Sequence, residues 1–83
     1  MKFLRMRPGY GEQLIAEGDV ELAEDEERLV AEFRRQLEQG MWAAVPLESK
    51  AGRREAEMVR AFEDIPRTTD RVIFFPRAAG GAR

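Results

Sequence analysis

Arg71-Val72-Ile73-Phe74-Phe75-Pro76 leads directly into Arg77-Ala78-Ala79-Gly80-Gly81-Ala82-Arg83, and the fold turns on how this stretch is read. Residues 71–75 carry four bulky apolar side chains in a row without alternation. A run of that length is a strand rather than a helix, and a strand apolar on both sides belongs at the centre of a sheet. Pro76 lacks an amide donor and marks the expected end of sheet pairing. Small residues and two glycines then take over, so the sequence predicts a folded domain over residues 1–76 and a flexible tail over 77–83.

Working outward, residues 2–7 alternate loosely and read as a first strand, closed by the Pro8-Gly9-Tyr10-Gly11 turn. Residues 14–22 alternate more clearly. They place Leu14, Ala16, Gly18, Val20 and Leu22 on one face and predict a half-buried strand that forms a hairpin with the first. From residue 23 the period changes. Leu29, Val30, Phe33 and Leu37 recur at helical spacing, with Leu22 or Ala23 extending the stripe. Glu24, Asp25, Glu26 and Glu27 crowd the expected first turn, where the helix dipole favours negative charge, and Gly40 stands at the stop. Residues 41–47 read as a strand that Pro46 confines to an edge or a bulge. Residues 53–62 read as a polar strand. The order is strand, strand, helix, strand, strand, strand, which gives an α+β architecture with one helix across one mixed sheet. If the first and last strands pair in parallel at the centre, the two hairpins flank them.

Composition excludes much chemistry. The chain has 83 residues, 36% of them charged, a net charge of −2 and neither cysteine nor histidine. It therefore lacks thiol nucleophiles, thiolate ligands, disulfides and the commonest general base. Ser49, the single serine, has no histidine to activate it. Glu55 and Glu57 share a strand face, where solvation accounts for them. No phosphate-binding glycine loop or calcium loop is present. Catalysis, a metal and a cofactor are not expected, and no signal peptide or membrane-spanning run is visible, so a cytoplasmic protein is expected. The acidic balance argues against nucleic acid, although Phe3, Arg5 and Arg7 share a face that could stack bases. Trp42 has two readings: core or core edge beside Val45, or an anchor on a partner-facing surface.

With its elements in this order, the chain resembles the ubiquitin-like β-grasp family. Asp70, Val72, Phe74, Phe75, Pro76, Gly80 and Gly81 are similar to the end of the bacterial sulfur-carrier members, the small subunit of molybdopterin synthase and the thiamine sulfur carrier. Ala43-Ala44-Val45 resembles their middle strand. Two departures, Ala82-Arg83 beyond the diglycine and a longer hairpin over 41–62, lean towards bacterial ubiquitin-like protein modifiers made as precursors. The resemblance implies that the bond between Gly81 and Ala82 is cut by a processing and deconjugating metallopeptidase. An activating enzyme then adenylates the Gly81 carboxylate, and a conjugating enzyme passes it through a thioester to target proteins. Gly80 and Gly81 would thread a narrow channel, and Pro76, Arg77, Ala78 and Ala79 would be read as the tail. The free chain is expected to be a monomer. Two alternatives stand beside this one: a sulfur carrier whose Gly81 becomes a thiocarboxylate, and a non-covalent β-grasp adaptor. With only Lys2 and Lys50 as side-chain amines, extensive self-chaining is disfavoured.

Overall fold

The computed structural model describes residues 1–48 and 54–77. The elements in chain order are β1 (Lys2–Arg7), β2 (Gly11–Glu17), α1 (Ala23–Glu38), β3 (Met41–Glu48), β4 (Arg54–Val59), a one-turn 3₁₀ helix η1 (Phe62–Asp64) and β5 (Arg71–Pro76). The five strands form one mixed sheet in the order β2-β1-β5-β3-β4, with α1 packed across one face. β1 and β5 run parallel at its centre, from Lys2 opposite Arg71 to Arg5 opposite Phe74. The antiparallel pairs β1–β2 and β3–β4 lie on either side.

The central position expected of residues 71–75 is therefore observed. Val72 and Phe74 are fully buried beneath the helix. Ile73 and Phe75 are only half-buried, because the opposite face of the sheet has no covering layer among the described residues. The core gathers around Phe3 of β1, Phe33 of α1 and Phe74 of β5. The Phe74 ring meets Phe3 edge-on at 5.2 Å and Phe33 at 5.7 Å between centroids, and Phe62 closes on Phe33 at 6.1 Å. These are preferred aromatic geometries. Phe3 thus points into the core, which removes the base-stacking surface that its alternation with Arg5 and Arg7 suggested.

Local chemistry sets the boundaries. Pro8 and Gly9 fill the middle of the β1–β2 turn. Gly9 takes a φ of 83°, and Tyr10 donates its amide to the Arg7 carbonyl. A proline followed by a positive-φ glycine is the type II turn signature. β2 ends at Glu17, not at residue 22. Val20 is buried in the connection that follows, and Leu22 is 55% exposed as the residue before α1. The helix start is held by Asp25, whose carboxylate accepts the Asp19 amide at 2.8 Å and pairs with Arg28 at 2.7 Å. At the other end Gly40, with a φ of 86°, donates to the Leu37 carbonyl and stops the helix where glycine was expected to. β4 is shorter than 53–62, because Phe62 turns inward in η1. Pro46 sits in a strand that is interior to the sheet, yet β3 pairs with β5 only from Met41 to Ala44. At Pro46 the strand is locally an edge, so the missing donor costs no ladder bond.

Two consequences follow for stability. Phe74→Ala removes the ring on which Phe3 and Phe33 converge and should cost about 3–5 kcal/mol in chemical denaturation, a large part of a small domain's stability. The Asp19 amide and then the Arg28 guanidinium hold the Asp25 carboxyl below the ordinary aspartate value. A carboxylate with a depressed folded pKa stabilises above its unfolded value and loses that contribution as pH falls through the folded one. Asp25→Asn should therefore flatten the fall in melting temperature below about pH 4, while leaving it parallel to the parent at neutral pH.

Candidate functional site: an open apolar face and the root of the tail

The register of the sheet places one apolar residue from every strand in a single row. Leu14 pairs with Leu4, Leu4 with Ile73, Ile73 with Ala44, and Ala44 with Met58. Side chains on paired residues share a face, and this row lies on the face away from α1. Leu14 and Met58 are 50% and 45% exposed. A second row, one step further along β1 and β5, holds Met6 and the paired Phe75 and Trp42. Strict alternation puts Leu14 on the same face as Ala16 and Val20. A bulge between Phe3 and Leu4 moves it: Phe3 pairs with Ala16, Leu4 pairs with Leu14, and Ile15 is the extra residue. Ile15 and Ala16 both pack against the core, and Leu14 turns outward.

Trp42 belongs to this face and is half-buried on it, outside the core. The reading of Trp42 as a core residue beside Val45 is therefore not met: Met41, Ala43 and Val45 are buried on the opposite side, while Leu47 further along the strand is exposed. Its ring carries the Arg77 guanidinium 5.1 Å from the centroid, a cation–π contact. Lys2, Arg71 and Arg77 bring positive charge to the ends of β1 and β5 around the apolar rows, with Glu12 and Glu17 on the β2 side.

The same region is the root of the tail. Pairing does not stop at Pro76: Met41 pairs with Pro76, and the Arg77 amide donates to the Gly40 carbonyl at 3.2 Å. Proline cannot donate, but the next amide can, so the sheet holds the chain through Arg77, one residue later than expected. Ala78, Ala79, Gly80, Gly81 and Ala82 lie outside the described residues.

On the helix side, Arg5 reaches from β1 to Gln39 at 3.0 Å and Gln36 at 3.3 Å, and the Gln36 amide donates to Glu32 at 2.7 Å. Gln36 is 2% exposed, a buried polar residue that the apolar stripe did not signal. Its position one residue before Leu37 on the inward side of the helix was the available clue. Glu55 and Glu57 are solvent-exposed, and no cluster of possible metal ligands occurs among the described residues. No helix among them is long and apolar enough to cross a membrane.

No protein-family model, curated protein or solved structure matches this chain.

If the open face is a surface and not a hidden core, its residues are dispensable for folding. Leu14→Thr and Met58→Thr should each change unfolding free energy by less than about 1 kcal/mol, whereas Val59→Thr, one residue away and buried, should cost more than either. Urea titration of the three variants checks the contrast.

Proposed function

We propose that the chain is a ubiquitin-like protein modifier of the β-grasp type, made as a precursor and joined to its targets through Gly81. The observation that carries this reading is the course of β5. It is the central strand, held by β1 on one side and β3 on the other, and it runs straight into the tail. A tail fixed to the middle of a sheet has a defined root, with Arg77 anchored to Gly40 and stacked on Trp42. Residues 78–81 then reach at most about 14 Å beyond it. That suits presentation of a terminal carboxylate to an active site buried in another protein. The parallel β1–β5 centre flanked by two hairpins, with one helix across it, is the arrangement the family resemblance implies, and the open apolar face offers a surface for the enzymes involved.

The chemistry balances as follows. While Ala82 follows Gly81, the Gly81 carbonyl is in a peptide bond, and a peptidase must add water across that bond to free the carboxylate. The carboxylate oxygen attacks the α-phosphorus of ATP and pyrophosphate leaves, giving an acyl-adenylate. A cysteine thiolate of the activating or conjugating enzyme attacks the acyl carbon and AMP leaves. A target amine displaces the thiolate, forming an isopeptide bond. This chain supplies the acyl group and its presentation; the partners supply the catalysis. Gly80 and Gly81 fit a narrow channel because they carry no side chain there.

Chain ending at Gly81, incubated with its activating and conjugating enzymes and ATP, should form a covalent adduct with target protein that resists reducing agent. Gly81→Ala should reduce that adduct at least about tenfold, since a single added methyl must enter a channel shaped for glycine. An unchanged adduct would falsify the assignment. A product in which sulfur replaces one carboxylate oxygen, with no protein adduct, would identify a sulfur carrier instead.

A further inference from the structure

A groove on the helix side of the molecule adjoins the open sheet face at Trp42 and Arg77. α1 lies over β2 and β3 and touches η1 near Phe62, which leaves a trough between its C-terminal half and the ends of β3 and β4. Two adjoining cavities of about 380 and 250 Å³ run along it and share Leu37 and Arg60. Their floor is apolar: Met41 and Val59 are buried at its base, and Leu37 and Phe62 are half-buried along it. Their lip is basic, with Arg34, Arg60 and Arg77 against the single carboxylate of Glu63.

No charge on that lip is held in an ion pair within the described residues, although Arg77 also lies over the Trp42 ring. The four ion pairs there engage Arg28, Arg35 and Arg67 and leave Arg34, Arg60 and Arg77 outside. Elsewhere the helix is acidic and pairs its own charges, as Glu32 does with Arg35 at 2.7 Å. Three guanidinium groups without an ion-pair partner, beside an apolar trough on a chain of net charge −2, form a local positive field that the whole molecule does not share. Guanidinium groups also bind carboxylates in two-pronged fashion, which gives direction as well as attraction.

We infer that this groove docks a short acidic peptide segment of a partner protein, one that sets bulky apolar side chains between carboxylates. The apolar residues would enter over Leu37 and Phe62, and the flanking carboxylates would meet Arg34 and Arg60 on one side and Arg77 on the other. A strand or helix with few acidic residues would leave the lip unpaired, and a nucleic acid would offer phosphates but no aliphatic group for the floor. The inference does not depend on the fate of Gly81, because every residue it uses lies at or before Arg77.

The test uses the whole chain and a fluorescein-labelled synthetic peptide with two central leucines flanked by aspartates and glutamates, read by fluorescence anisotropy. The peptide should bind, and Arg60→Glu should weaken it at least about tenfold, since like charges then face each other. Replacing both leucines by serine should weaken it by a similar factor. Raising ionic strength from about 0.05 to 0.5 M should weaken it several-fold. Arg60 is exposed, and an unchanged melting curve for Arg60→Glu shows that the variant is folded. Amide NMR shifts on peptide addition should centre on Leu37, Arg60, Phe62 and Arg77. No binding overturns the proposal, as does equal binding by Arg60→Glu. So do shifts centred on Leu4, Ile73 and Met58, tighter binding of a single-stranded oligonucleotide at the same residues, or concentration-dependent self-association that displaces the peptide.

Discussion

The contact between Phe74 and its two aromatic neighbours is the constraint on which the structure depends. Phe3 and Phe74 come from strands at opposite ends of the sequence, and Phe33 comes from the helix between them. Their three rings fix the parallel pairing of β1 with β5 and the position of α1 over it. A parallel pair cannot be closed by a tight turn and needs a long connection, so its register must come from side-chain packing. Once β1 and β5 are locked, each carries its own hairpin partner outward, and the five-stranded order follows. The domain is small and has no disulfide, so a few fully buried aromatic side chains supply much of what holds it.

That construction uses only one side of the sheet. Phe3, Val72, Phe74, Ala43, Val45 and Val59 face the helix and are buried, while Leu4, Ile73, Phe75 and Trp42 on the other side stay half-exposed. The continuous apolar run of residues 72–75 therefore has two different causes. Val72 and Phe74 are required by the core. Ile73 and Phe75 join residues of the other four strands in an open surface, and such surfaces on small proteins mark places where something else binds.

Much of this was legible in the sequence. The unbroken apolar run identified the central strand, the shift to helical spacing after residue 22 gave α1 to within a residue, and Gly40 marked its end. What escaped was set by register, which one residue can invert. The bulge at Ile15 reversed the side on which Leu14 lies, and no local pattern announces a bulge. Leu22 satisfied both the strand and the helix period and belongs to neither, because the chain turns there and Asp19 and Asp25 organise the turn through hydrogen bonds. Trp42 could be placed on its face by alternation, but its stacking on Arg77 depends on β3 meeting β5 in one register. The basic groove joins residues from α1, β4 and the end of β5, and its charge is conspicuous only once the ion pairs of the other arginines are known.

Gly40 gives the molecule a mechanical property. One residue ends the helix through its amide and receives the Arg77 amide through its carbonyl. β5 is flanked on both sides, by β1 in parallel and by β3 in antiparallel pairing. Tension applied to the chain beyond Arg77 runs along the strand axis, so the hydrogen bonds to both neighbours are loaded together in shear and are not peeled open one at a time. The last of them passes its share of the load to the end of the helix. A domain held by its final strand in this way can be tugged, threaded or held by that end while the rest of the fold keeps its shape.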